Sequence, residues 1–223
     1  MRLLSLDGSL ACCSAALLVD GKVGAEVAEK GARGQSSALP PLAAQMLEVA
    51  GGAVEAVAVV VGPGGFTGLR AAIALAEGIA LGFGLRAIGV TTGEALAAAL
   101  PESARATQEV WSAIDSKRGR LVLERFAPGA RTAGEAVAMA EFDLPRPSLP
   151  VLAVGDAAPL LAARLLARGA RVTLTDSRLP RAGAAGLIAW ARLTGALPMR
   201  DATPLYVEPP AVRQPHLVTI EAA

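Results

Sequence analysis

Histidine is almost missing from this chain. The single one, His216, stands in a proline-rich stretch, so a Ser-His-Asp triad or a His-paired cysteine would have to recruit that stretch. A zinc site with two histidines cannot be built. Cysteine is nearly as scarce: Cys12 and Cys13 are adjacent, and in a strand they point to opposite faces and are poor candidates for pairing with each other. Free thiols fit a reducing cytosol. Aromatics make up 3% of the chain and the net charge is +1, which leaves few platforms for stacked bases and no general attraction to nucleic acid. Lysine is confined to Lys22, Lys30 and Lys117. No G-x-x-x-x-G-K-[ST] occurs, which excludes a P-loop. The apolar start is broken after six residues by Asp7, Gly8 and Ser9, and no other apolar run is long enough to span a bilayer. The expectation is a soluble, cytoplasmic protein with no membrane partner.

What is present is the composition of a folded globular protein, 53% hydrophobic over 223 residues. Its most informative stretch is Val61-Gly62-Pro63-Gly64-Gly65-Phe66-Thr67-Gly68-Leu69-Arg70. It joins a β-branched run, 57–61, to an Ala-rich segment, 70–83, so the pattern is strand, glycine turn, helix. That arrangement aims backbone N–H groups at an anion. The plain alternative is that the glycines only permit a tight turn. Thr67 and Arg70 could bind an anion at the helix start; equally, Thr67 could cap the helix and Arg70 serve in an ion pair.

The first half reads as strands 2–7, 12–19 and 22–29, with a two-residue hairpin at Asp20-Gly21. A helix follows, capped by Ser36 or Ser37 with Pro40 and Pro41 in its first turn. Then come strand 56–61, helix 67–83, strand 86–90 and a helix near 93–100 capped by Thr91 or Thr92. After a boundary at 101–107 the pattern restarts: strands 108–115 and 120–126, a third near 134–140, then a loop carrying Pro145, Pro147 and Pro150. Strand 151–154, helix 157–168, strand 171–175 and helix 182–194 complete it. The final residues should be irregular and pack around Leu205-Tyr206-Val207. The reading is α/β: a duplicated βββαβα plan in two lobes, 1–103 and 104–223, with Asp7 and Asp115 each at a first hairpin. This is the plan of the actin-like (hexokinase and heat-shock chaperone) superfamily. Asp7-Gly8-Ser9 keeps a small turn compatible with a phosphate, whereas Asp115-Ser116-Lys117-Arg118-Gly119 puts bulk where glycines are wanted. The nucleotide cleft reads as half dismantled, so ATP binding by this chain alone is not expected.

These segments resemble the TsaB (YeaZ) family, the accessory subunit in making threonylcarbamoyladenosine on tRNA. The resemblance rests on Leu6-Asp7-Gly8-Ser9, the glycine-rich signature 62–70, Gly89-Val90-Thr91-Thr92-Gly93-Glu94-Ala95-Leu96, Ile114-Asp115-Ser116-Lys117-Arg118-Gly119, Val154-Gly155-Asp156 and Pro204-Leu205-Tyr206-Val207. Two positions depart from the family: Gly65, where serine is usual, and Gln35, where histidine is frequent. The resemblance implies a non-catalytic scaffold that pairs with a TsaD-type catalytic subunit through the helices of the first half. A TsaE-type ATPase joins them, and tRNA is reached through the complex. No cofactor or metal is expected on this chain alone, while a nucleotide at a subunit interface stays open.

Helix 67–83 reads apolar on two sides, one more than a sheet can cover. From the residues alone, burial within its own domain is the alternative to a partner. With the resemblance, the expected contact set is Leu39, Leu42, Met46, Leu47, Leu69, Ala72, Ile73 and Ala76. The same face admits a homodimer when the partner is absent. Asp7, Gly8, Ser9, Gly62, Gly64, Gly65, Thr67 and Arg70 form the candidate anion or nucleotide-remnant loops. The basic hairpin Lys117, Arg118 and Arg120 could meet tRNA phosphate or simply be solvated. The rival functions are an autonomous ATP-dependent phosphotransferase of the same fold, disfavoured by Lys117 and Arg118, and a peptidase, disfavoured by the missing histidines.

Overall fold

The computed structural model describes residues 1–31 and 34–208; His216 and the proline-rich stretch around it lie outside the described residues. Strands β1 (Arg2–Leu10), β2 (Cys12–Val19) and β3 (Lys22–Lys30) form a meander. Helix α1 (Gln35–Val49), β4 (Ala56–Gly62), α2 (Phe66–Gly82), β5 (Ala87–Thr91) and α3 (Thr92–Ala98) follow. The sheet order is β3-β2-β1-β4-β5. Its β1–β2 and β2–β3 pairs are antiparallel, and β1–β4 and β4–β5 are parallel.

After the short α4 (Glu102–Arg105), the strands β6 (Glu109–Asp115), β7 (Leu121–Phe126), β8 (Val137–Met139), β9 (Val151–Val154) and β10 (Val172–Leu174) build a second sheet. Its order, β8-β7-β6-β9-β10, repeats that of the first. Helix α5 (Ala158–Ala167) lies between β9 and β10, and α6 (Ala182–Leu193) ends the regular structure. The result is the two-lobed, actin-like α/β architecture.

The duplication is imperfect. Between β8 and β9 the chain makes no helix, so the second half has no counterpart of α1. Pro145, Pro147 and Pro150 explain this, because each removes an N–H donor and blocks helical backbone just before it.

Chain order also misplaces α6. A cut between residues 103 and 104 assigns it to the second lobe, yet Ala182, Ala185, Ile188 and Ala189 pack on Leu3, Ala16, Leu18, Ala58 and Val60 of the first sheet. Conversely, Leu96 and Ala97 of α3 pack on Val110, Ile114, Val122 and Phe126 of the second sheet. The two helices cross over between the lobes. Alanine and glycine allow the approach: a Cβ on Gly186 would collide with the Leu18 side chain.

Several local readings change. β1 runs through Asp7 to Leu10 with an irregularity between those residues, so Asp7 sits within a strand rather than at its end. Helix α1 starts at Gln35 with Gly34 as its cap, not Ser36 or Ser37, and therefore Pro40 and Pro41 fall beyond its first turn. The Asp20-Gly21 hairpin is present, both residues at positive φ (47° and 76°), as a two-residue reversal demands. Thr91 caps α3: its Oγ1 accepts from Glu94 N at 3.0 Å, and Glu94 Oε2 accepts from Thr91 N at 2.8 Å. Cys12 and Cys13 are both buried and outside any disulfide among the described residues, and burial pushes the Cys13 thiol up to about 11.

Candidate partner-binding helices and the glycine-rich loop

The residues read as anion-binding loops are brought together, but against each other. Gly65 N donates to Ser9 O at 2.7 Å. A Cβ on Gly64 would fall 2.3 Å from that same carbonyl oxygen, and one on Gly8 would fall 3.1 Å from Gly68 O. The backbone of Asp7-Gly8-Ser9 thus fills the concavity of the loop that follows β4. Two further bonds fix the loop from outside. Thr92 Oγ1 donates to Pro63 O at 2.6 Å, and Leu205 N donates to Val61 O at 2.8 Å. Gly62, at φ 112°, lies beneath Leu205 O. We expect Gly64→Ala to cost roughly 1–3 kcal/mol, because the obstacle is backbone and cannot step aside. A lowered urea midpoint at unchanged slope would register it; an unchanged midpoint would show that the loop yields.

Asp7, the residue before Gly8, is fully buried. Its Oδ1 accepts from Ser9 N at 2.9 Å, while Oδ2 and the hydroxyls of Ser5 and Ser9 meet no hydrogen-bond partner among the described residues. Desolvation pushes its carboxyl up to about 7, against the lowering effect of the Ser9 contacts. A carboxyl with one satisfied oxygen in a buried setting favours its neutral form more than an exposed one does. No cluster of three or more His, Cys, Asp or Glu side chains capable of holding a metal exists among the described residues.

Thr67 and Arg70 take no part in the contact between Ser9 and the glycine loop. Gly65, not Thr67, is the N-cap of α2, and Thr67 is exposed. Arg70 turns outward over the Phe66 ring and donates from Nε to Tyr206 Oη at 2.7 Å.

The expected contact set needs correction. Leu39, Met46, Leu69, Ala72, Ile73 and Ala76 are buried at 5% exposure or less, packed on the first sheet or beneath α2 within this chain. Leu42 and Leu47 are half-buried against the same core. The side of α2 read as facing a partner is the side that covers the sheet. What α2 exposes is a different arc: Phe66, Thr67, Arg70, Ala74, Glu77, Gly78, Leu81 and Gly82. Leu81 is 79% and Phe66 55% exposed. Beside it α1 exposes Pro41, Ala44, Gln45 and Val49.

In the second lobe the hairpin after β6 is tied to its own acids. Lys117, at φ 59°, places Nζ 2.8 Å from Asp115 Oδ2 and 3.7 Å from Asp156 Oδ2. The lysine holds the Asp115 carboxyl below its usual range. Burial dominates at Asp156 and raises it. Arg120 donates to Ala138 O at 2.7 Å and lies 3.6 Å from Glu208. These residues border an open cavity of about 630 Å³ with Pro159 and Leu160 on its apolar side.

A polar junction between the lobes escaped the sequence reading. Arg192 of α6 donates from Nη2 to both Glu94 carboxylate oxygens at 2.7 Å, from Nε to Gly89 O at 3.2 Å and from Nη1 to Pro198 O at 2.6 Å. Beside it Glu124 of β7 accepts from Gly93 N at 2.9 Å. Burial raises Glu124 to about 7. Gly93 is glycine because any Cβ would overlap that carboxylate. One signal was available: Glu124 alternates with Val122 and Phe126, so an acid occupies the core side of a strand.

Comparison with known proteins bears on the family. Residues 23–153, more than half of the chain, match the family model described as TsaD, tRNA N6-adenosine threonylcarbamoyltransferase. Over 124 residues the chain is 36% identical to the tRNA threonylcarbamoyladenosine biosynthesis protein TsaB of Escherichia coli, covering 54% of this chain and 53% of that one. It therefore spans about half the length of the curated relative it matches. YeaZ from Pseudomonas aeruginosa superposes with a TM-score of 0.75 at 25% identity, over 92% of this chain and 99% of that one. The ethanolamine utilization protein EutJ from Carboxydothermus hydrogenoformans shares only the fold, with a TM-score of 0.52 at 14% identity over 84% and 89% of the two chains. Matched by that model over more than half of its length, the chain belongs to the TsaD-type family, and it is similar to the TsaB and YeaZ proteins named above.

Proposed function

We propose that this chain is a non-catalytic subunit in tRNA threonylcarbamoyladenosine biosynthesis, docking on a TsaD-type transferase through the exposed faces of α1 and α2. The observation that carries the reading is the outer arc of α2, where Phe66 and Leu81 stand exposed on either side of Ala74 and Gly78. Large apolar groups flanking small ones suit close approach by a second helix. A stable association of this kind buries about 1,600 Å². The filled concavity at Ser9 and Gly64 supports a chain that leaves nucleotide and metal chemistry to its partner. On this reading a TsaE-type ATPase and tRNA join through the complex, in the cytoplasm. A homodimer covers the arc when the partner is absent. Among the described residues no helix is long and apolar enough to cross a membrane.

The test is the light-scattering mass of this protein mixed with the TsaD-type protein of the same genome, with tRNA modification assayed on the same samples. A heterodimer whose activity depends on this chain is expected. If the two remain apart with and without nucleotide and the ATPase, the scaffold role is lost, and ATP-dependent phosphotransfer by this chain becomes the reaction to assay.

A further inference from the structure

The outer arc of α2 carries Thr67, Arg70 and Glu77 among small and apolar residues, and Arg70 is held in an unusual way. Its guanidinium lies 3.8 Å from the centre of the Phe66 ring and 5.7 Å from that of Tyr206. The two rings are stacked at 6.0 Å with an interplanar angle of 27°. Nε is bonded to Tyr206 Oη. Phe66 comes from the start of α2, and Tyr206, the chain's only tyrosine, comes from 136 positions beyond Arg70. The bond from Leu205 N to Val61 O anchors the backbone beside Tyr206, so the ring is positioned by main chain rather than by the stack alone.

A guanidinium has five N–H groups, and one of them meets the tyrosine. Among the described residues no carboxylate forms an ion pair with Arg70. The outer edge of the fork is therefore an exposed, immobilised, uncompensated cation. Its side-chain entropy is already lost in the free protein, which lowers the cost of binding. Arginine and aromatics together are also the residues that dominate binding energy at protein interfaces. The surroundings separate a protein ligand from a nucleic acid. The arc continues from Arg70 through Ala74 and Gly78 to Leu81, and its other charge is Glu77, so a single cation stands among small and apolar groups, which suits side-chain packing better than a phosphate backbone that needs several cations.

We infer that the Phe66–Arg70–Tyr206 clamp is the polar anchor of this face and receives a carboxylate of the TsaD-type partner, seated bidentately on the outer edge of the guanidinium. The inference rests on the docking reading above and names its charged contact.

The experiment measures Kd of the heterodimer for the wild type, Arg70→Ala, Arg70→Lys, Tyr206→Phe and, as a control in the second lobe, Arg171→Ala. Arg70→Ala should weaken binding about tenfold or more and flatten the dependence of Kd on salt. Arg70→Lys should fall between, since it keeps the charge and loses the stacked fork. Tyr206→Phe should weaken binding less, and Arg171→Ala should leave it unchanged. If the wild type forms the heterodimer and Arg70→Ala binds equally well while its melting temperature drops, the clamp is an internal staple and the inference fails alone. If Arg70→Ala does not fold, Arg70→Lys and Tyr206→Phe decide by the same criterion. If the heterodimer is unchanged but the complex no longer retains tRNA on filters, the ligand is phosphate and the carboxylate assignment is overturned. If the wild type forms no heterodimer, the docking reading falls and takes the inference with it.

Discussion

Replacing Arg192 with methionine is expected to destabilise the protein by about 3–5 kcal/mol, the cost of stranding a buried charge. Arg192 and Glu94 are each 2% exposed at the side chain. Removing the guanidinium also leaves the carbonyls of Gly89 and Pro198 without their donor. The pair joins α6, which covers the first sheet, to α3, which packs on the second, so the loss should loosen the lobes as well as the core. Because desolvation offsets much of the attraction in a buried pair, the double variant Glu94→Leu/Arg192→Met should recover much of the deficit. Urea denaturation of the single and double variants measures this. An Arg192→Met protein within 1 kcal/mol of the wild type, on the order of ordinary surface substitutions, would falsify the assignment.

Stability should also fall as the pH rises from about 4 to about 7, opposite to the trend from salt-bridged carboxylates. Asp7 and Glu124 are both raised to about 7 by burial, so the folded chain holds two protons that the unfolded chain releases near 4. In that window the native state binds more protons, and the stability they confer below the unfolded pKa is lost by the time the pH passes the folded value. The loss is on the order of 4 kcal/mol for each group. The neighbours modulate it without reversing it: Glu26 raises Asp7 further, Glu94 raises Glu124, and Arg200 lowers Glu124. Glu124→Gln preserves the acceptor for Gly93 N and removes the titration. It should match the wild type at pH 4 and exceed it at pH 8. A wild-type melting temperature that climbs between pH 5 and 8 would show both acids ionised in the fold.

How far the residues alone carry the argument differs along the chain. The Asp20-Gly21 hairpin and the strand–glycine–helix passage around Gly64 were readable because turn chemistry is local. The orientation of α2 was not. Alanine occurs on its buried side at 72, 76 and 80 and on its exposed side at 74, so counting apolar positions cannot distinguish the faces. The destination of α6 was hidden for another reason: its small apolar residues fit either sheet, and only the crossing of α3 decides between them. The Phe66–Arg70–Tyr206 clamp joins distant positions through side chains that, singly, read as ordinary surface. Glu124 alone left a legible trace, an acid on the apolar side of a strand.

The crossing of α6 also bears on how the protein is made. The face of the first sheet formed by Leu3, Ala16, Leu18, Ala58 and Val60 is closed by a helix that begins about ninety residues after β5, the last strand of that sheet. At roughly 5–20 residues per second of synthesis, that face stays bare for some 5–20 s. During that interval the nascent chain carries a complete sheet with an apolar underside, a natural client for a holding chaperone at the ribosome exit.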